Sequence, residues 1–172
     1  MRGVAIPIAS PEVVEAGTQA SLVPRAGMTS AMAEIEIDWA SSIKAVAAGH
    51  SHSLTLRWDG TVAAFGRNDD DQCTVPYEAH GASSIACGGF HSLVVTSDGS
   101  VVAWGANLHR QAEPPVGLRN VTAVAGGHTH SLALLADGTV IQWGLVPQYS
   151  QVPKDLTDVV AISAGYEHSI AL

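Results

Sequence analysis

Short apolar runs alternate with glycine-bearing breaks along most of this chain. Val121–Ala125 is a run rich in β-branched residues, and Gly126-Gly127 follows it. In the next run, His130-Ser131-Leu132-Ala133-Leu134-Leu135, Leu132 and Leu134 fall on one face by the period of two that marks a strand. Asp137-Gly138 then sits between two apolar runs, which predicts a tight hairpin of the primed type. Thr139–Trp143 is the third predicted strand, and Gly144 ends it. Gln151-Val152-Pro153 is a candidate fourth strand at an edge, because proline has no N–H to donate to a ladder. No segment in this stretch has helical periodicity.

The pattern recurs. Ala45–Gly66, Ser84–Gly105 and Ala123–Gly144 are copies of one block, and a fourth copy begins at Ala161. The histidines His52, His91, His130 and His168 are 39, 39 and 38 residues apart. Gly60, Gly99 and Gly138, each preceded by Asp, keep the 39-residue spacing. A period of this length marks a repeat architecture. Four short antiparallel strands per repeat make one propeller blade. The expected fold is therefore all-β, a β-propeller-type array of four-stranded blades with too few repeats for a ring. Small residues crowd the first strand of each unit, which suits a strand close to the propeller axis.

The block G-x-x-H-S-L-A-L, D-G-x-V-x-x-W-G and Q-x-x-V-P resembles the repeat of the regulator of chromosome condensation family. The resemblance spans about residues 43–172, divided as 43–82, 83–120, 121–158 and a partial 159–172. Its compact period is similar to the short bacterial form, to which a secreted β-lactamase inhibitor belongs. The resemblance implies a β-propeller and, from different members, guanine-nucleotide exchange on a small GTPase or inhibition of an enzyme. Three features depart from the family. The usual Gly-Gln pair is Asp71-Gln72, Arg110-Gln111 and Ser150-Gln151; Phe65 replaces the Trp held by Trp104 and Trp143; and the repeats are few.

Residues 1–42 are a leader or a decayed repeat. Glu15–Val23 resembles the histidine block with Ala20 in the histidine slot, and Glu34–Trp39 alternates as a strand does.

Composition narrows the function. The chain carries 16 Asp and Glu against 8 Lys and Arg. That balance counts against nucleic acid, whose phosphates demand basic neutralisation. No run approaches a membrane span. Pro7 and Glu12 interrupt the apolar stretch near Arg2, so no signal peptide is read and a cytoplasmic location is the default expectation. Cys73 and Cys87 occupy unrelated repeat positions. Cys87 reads as a buried free thiol, and no disulfide framework is expected.

Candidate chemistry is thin. His50-Ser51-His52 and His128-Thr129-His130 place two imidazoles on one strand face, which resembles half of a zinc site. No third or fourth ligand converges on either pair, so no metal is expected. The marker histidines recur in every copy and read as structural, through a hydrogen bond holding the turn. Each is followed by a serine (Ser53, Ser92, Ser131, Ser169). Neighbours on a strand point to opposite faces and cannot form a nucleophile–base pair. No cofactor motif is present, and Asp69-Asp70-Asp71 lacks the pattern of a calcium loop. The expectation is a protein that is not an enzyme.

The informative positions are those where the copies differ. In a meander, the loop between strands one and two shares an end with the loop after strand three. These loops carry Phe90, Tyr166, His109, Arg110, Tyr149, Asn68 and Asp70, whereas the opposite end carries the uniform Asp-Gly turns. Aromatic and arginine side chains on a rigid base are common interface anchors. The sequence thus points to a protein–protein interaction module of unknown partner. Guanine-nucleotide exchange and enzyme inhibition are the alternatives. The apolar stretch Ile170-Ala171-Leu172 forms an edge that invites self-association.

Overall fold

A computed structural model of the chain describes residues 42–172. The readings made for residues 1–41 lie outside the described residues.

The first three-stranded sheet comprises β1 (Ile43–Ala48), β2 (His52–Arg57) and β3 (Val62–Gly66). The second holds β4 (Ala82–Cys87), β5 (His91–Thr96) and β6 (Val101–Gly105). The third holds β7 (Val121–Gly126), β8 (His130–Leu135) and β9 (Val140–Gly144). A fourth, two-stranded sheet pairs β10 (Ile162–Ala164) with β11 (Ser169–Ala171). Every pairing is antiparallel between chain neighbours. Among the described residues no strand pairing closes these blades into a ring. The only other regular elements there are two short 3-10 turns, Tyr77–Ala79 and Gln148–Ser150. No helix among the described residues is long and apolar enough to cross a membrane.

The expected fourth strand of each blade is not a strand. The chain after β3, β6 and β9 is extended and irregular, and it carries Pro76, Pro114-Pro115 and Pro153. Proline removes the donors that a fourth ladder would need. Asparagine side chains do part of that work instead. Asn68 Oδ1 accepts from the Cys73 N–H at 2.7 Å, and Asn107 Oδ1 accepts from the Ala112 N–H at 3.0 Å.

The Asp-Gly turns also differ from the primed type. Gly60 takes φ +82°, but Asp59 does not lie at positive φ. The Gly60 N–H donates to Arg57 O, and the Arg57 N–H to Thr61 O. This is the three-residue loop in which a turn is followed by a left-handed glycine. Asp59 Oδ1 accepts from the Thr61 N–H at 2.8 Å, which fixes the turn locally. Asp98 and Asp137 do the same with Ser100 and Thr139.

The core lies between blades, not within one sheet. Leu54, Leu56 and Val62 pack against Ala82 and Val94. Leu93 and Val95 pack against Val121, Ala133 and Trp143. Leu132, Leu134 and Val140 pack against Val159. The middle strand β5 therefore sends Leu93 towards the third blade and Val94 towards the first, and both side chains are fully buried. Each such burial contributes about 1.5–3 kcal/mol. The small residues of β1, β4, β7 and β10 (Ala48, Ala86, Ala125 and Ala164 among them) line one open hollow of about 240 Å³. Close approach of these innermost strands explains their composition: a Cβ on Gly126 would meet the Gly88 backbone.

Candidate functional site

Two sets of side chains stand out at the loop end. The first is a ring cluster fed by successive blades. His50 follows β1, Phe90 follows β4, His128 follows β7 and Tyr166 follows β10. The Phe90 ring lies 5.3 Å from His50 and 5.5 Å from His128, centre to centre. The His128 ring stacks on Tyr166 at 4.0 Å with 15° between planes. The Arg67 guanidinium stands 5.3 Å over Phe90 and pairs with Asp69 at 2.8 Å. Beneath the rings lies a hollow of about 190 Å³ floored by turn glycines.

The main chain makes this end stiff. The His50 N–H donates to Gly89 O, the Gly89 N–H to Gly127 O, and the His128 N–H to Tyr166 O, each across a blade boundary. The outer loops are tied to the inner ones within each blade: Arg67 N–H to Ser51 O, Ala106 N–H to Phe90 O, Leu145 N–H to Thr129 O. Both sets of loops therefore share one end.

The structure brings Phe90 and Tyr166 to the same cluster. His109 and Arg110 are exposed in the outer loop after β6, where Arg110 lies 3.8 Å from Glu113. Asp70 is exposed after β3, while the Asn68 side chain is spent on its own loop. Tyr149 lies in the turn Gln148–Ser150, and its side chain lies outside the described set. His50, His128 and Arg67 belong to the cluster; they lie in the loops that vary between copies but were not among the residues expected to contact a partner. The reading of His50 with His52, and of His128 with His130, as pairs on one strand face is corrected. His50 and His128 lie in loops ahead of the strands and enter the ring cluster, whereas His52 and His130 are buried between blades. Among the described residues no group of three or more His, Cys, Asp or Glu converges on a metal position.

The second set is a latch repeated at blade boundaries. His52 Nε2 lies 3.0 Å from Ser92 Oγ, and His91 Nε2 lies 2.9 Å from Ser131 Oγ. Each serine hydroxyl donates back to the preceding blade, Ser92 to Gln72 O and Ser131 to Gln111 O, both at 2.8 Å. The indoles of Trp104 and Trp143 donate to the same two carbonyls at 2.9 Å. Because the hydroxyl proton goes to the carbonyl, the histidine must donate through Nε2–H, which leaves Nδ1 bare. The marker histidine thus joins neighbouring blades. The turn ahead of it is closed by the main chain instead, through the Gly49 N–H to His52 O.

The third boundary is built differently. His130 Nε2 reaches Ser169 Oγ at 3.1 Å, and Gln142 Nε2 donates to the same oxygen and to Ser150 O. Gln72 and Gln111 are buried, whereas Gln151 is exposed. The cause is the residue before each glutamine. Asp71 and Arg110 both take φ +61°, the left-handed conformation for which glycine is usual there, whereas Ser150 closes a 3-10 turn.

Burial sets the chemistry of the latch. It pushes the His91 imidazole down to about 4, assisted by repulsion from His52, His130 and His128. His52 and His130 are lowered by the same burial. A His–Ser contact near 3 Å resembles a nucleophile and its base. At Ser92 and Ser131 the hydroxyl is fully buried and its proton is held by a carbonyl, so neither has access or freedom to attack.

Cys73 and Cys87 are both free thiols. Burial pushes the Cys87 thiol up to about 12, and its Sγ faces Ala47 O at 3.5 Å.

A sequence model of the regulator of chromosome condensation (RCC1) repeat matches residues 82–111. No curated protein matches the chain. Among solved structures, Prp20p of Saccharomyces cerevisiae is similar with a TM-score of 0.65 and 22% identity, covering 77% of this chain and 43% of that one. The CRINKLY WD40 ectodomain of the Arabidopsis thaliana receptor kinase ACR4 gives 0.65 and 20%, covering 76% and 46%. Human WBSCR16 gives 0.61 and 23%, covering 78% and 46%. The chain thus spans under half the length of the structures it resembles. Identities at this level speak for the fold alone. The matched repeat recurs in register along the chain, and each copy folds as the blade those propellers share. Residues 82–111 thus match the repeat of the regulator of chromosome condensation family, and the described blades share the fold of the β-propellers that the chain resembles.

Proposed function

We propose that this chain is a non-catalytic protein-binding module whose partner sits on the loop end, across the rings of His50, Phe90, His128 and Tyr166. One observation carries this reading: four blades each contribute to a single cluster, on loops cross-linked through their own main chain. Such a base holds side chains in place before binding, which lowers the cost of ordering them. Tyr166 is 60% exposed and Leu108, in the next outer loop, is 93% exposed. Apolar area and ring faces are therefore presented at this end. The fold neighbours add a precedent, since yeast Prp20p is described with binding properties to Gsp1p and histones, and also bound to Kap60.

The test is partner capture by the wild-type chain against the double variant Phe90→Ala, Tyr166→Ala. Both residues are outside the interblade core, so the variant folds. Loss of a captured protein, with at least a tenfold drop in measured affinity, is the expected result. Equal affinity for that same protein would sink the reading.

Guanine-nucleotide exchange is the second reading, favoured by the likeness to Prp20p. The even repeat spacing leaves the described blades without an inserted wedge. Accelerated nucleotide release from a small GTPase in the presence of the chain would promote it. Self-association remains a separate proposal: Ile170 and Leu172 are exposed beside the β11 edge, and native mass by light scattering tests it.

A further inference from the structure

Each blade boundary is closed by a buried imidazole that has an outlet for one proton and none for a second. Nδ1 of His52, His91 and His130 has no hydrogen-bond partner. The rings lie against the turn glycines Gly49, Gly88 and Gly127, so closely that a Cβ on any of them would overlap the imidazole. A proton added at Nδ1 would find no hydrogen-bond partner in place, and only at His52 does a neighbouring main-chain group, that of His91, partly offset the cost of burial. The groups that act on His91 from the elements around it are His52 on β2, His130 on β8 and His128 in the loop before β8. His130 in turn faces His168. No carboxylate is among these groups. The bond from Nε2–H to serine survives protonation. What fails is the burial of the charge, because an unpaired ion in a low-dielectric boundary is expensive.

We propose that the His–Ser latches are an acid-operated release: protonation of His52, His91 and His130 separates neighbouring blades and disperses the ring cluster spread across them. Strand pairing within a blade does not use these groups, so the sheets outlast the boundaries. The separation of blades stands on the latch geometry alone. Only the consequence, loss of a bound partner on acidification, rests on the function proposed above.

The sign follows from linkage. His52, His91 and His130 are all held below their ordinary value of 6.5 in the closed array, His91 down to about 4, so the open state binds more protons in the window below 6.5. The latch contribution is complete above pH 6.5 and is lost as the pH falls through that window.

The full chain carries its own reporters, because Trp104 and Trp143 donate to the latch carbonyls. Tryptophan emission is followed from pH 8 to pH 3, with far-ultraviolet circular dichroism in parallel. The expected result is a cooperative change in emission while strand signal persists. In His91→Gln, the amide can still donate to Ser131 but cannot ionise, and the midpoint moves down by on the order of 0.5–1 pH unit. Asp98→Asn, which neutralises an exposed turn carboxylate, leaves the midpoint unchanged. Coincident loss of both signals, an unmoved midpoint in His91→Gln, or a midpoint moved only by Asp98→Asn overturns the proposal. Should His91→Gln not fold, wild-type imidazole proton resonances decide: His52, His91 and His130 must titrate together with the emission change, and neutral rings through it refute the release. A platform that fails the Phe90, Tyr166 test leaves this acid transition in place, so the two failures are told apart.

Discussion

His91 Nε2 and Ser131 Oγ meet at 2.9 Å across the boundary between the second and third blades, 40 residues apart in the chain. Both groups are completely buried. Ser131→Ala leaves an imidazole N–H without an acceptor and removes one of the two donors to Gln111 O, where the Trp143 indole still donates. A loss of about 1–3 kcal/mol is expected, read as a lower midpoint in chemical denaturation. Ser53→Ala, at the equivalent but exposed position of the first blade, changes stability by no more than about 0.5 kcal/mol. Equal effects at the two sites would deny the latch its role.

Gly88 and Gly117 separate two reasons for glycine. Gly88 has an ordinary φ, but a Cβ there would drive into the His91 ring and Gly127 O. Gly117 sits at φ +82° with nothing within 4 Å of a Cβ. Gly117→Ala therefore costs only the left-handed backbone, about 1–2 kcal/mol. Gly88→Ala must displace a latch imidazole and costs more, by thermal or urea denaturation. The reverse order would show that the His91 ring can move aside freely.

The left-handed residues offer a gain. Arg110→Gly relieves the strain at φ +61°, and its contact with Glu113 is too long and too exposed to matter. A stabilisation of about 0.5–1 kcal/mol is expected, net of the added freedom of the unfolded chain. Ser150→Gly has no left-handed strain to relieve and brings no gain. Denaturant midpoints of the two variants compare them directly.

Thiol labelling reports the inner strands. Cys73 is half-buried in the loop after β3, whereas Cys87 lines the inner hollow with its thiol pushed up to about 12. The thiolate is the reactive species. At pH 8 one thiol per chain, Cys73, should react with a maleimide, and Cys87 only after denaturation. Prompt labelling of both would mean that the inner strands open readily.

What the sequence determined by itself was everything that depends on neighbours along the chain. Strand positions follow from runs such as His130–Leu135, and turn positions follow from the Asp-Gly pairs, because strand and turn preferences act over a few residues. The 39-residue period showed that these units repeat. It even marked the latch residues, since a histidine kept in every copy has a common task. What it could not assign was the partner of each. His91 bonds to the serine of the next blade, not to its own neighbour Ser92, and that pairing exists only once β5 packs against β8. The primed turn and the fourth strand were misread for a similar reason. The turn's hand and the loss of a ladder after Pro76 depend on main-chain geometry that residue types leave open. The candidate site shows the gap most plainly. Phe90 and Tyr166 were legible as variable loop residues, whereas His50 and His128 resembled incomplete metal pairs. Only the packing of successive blades around their inner strands brought these four rings, separated by up to 116 residues, to one end.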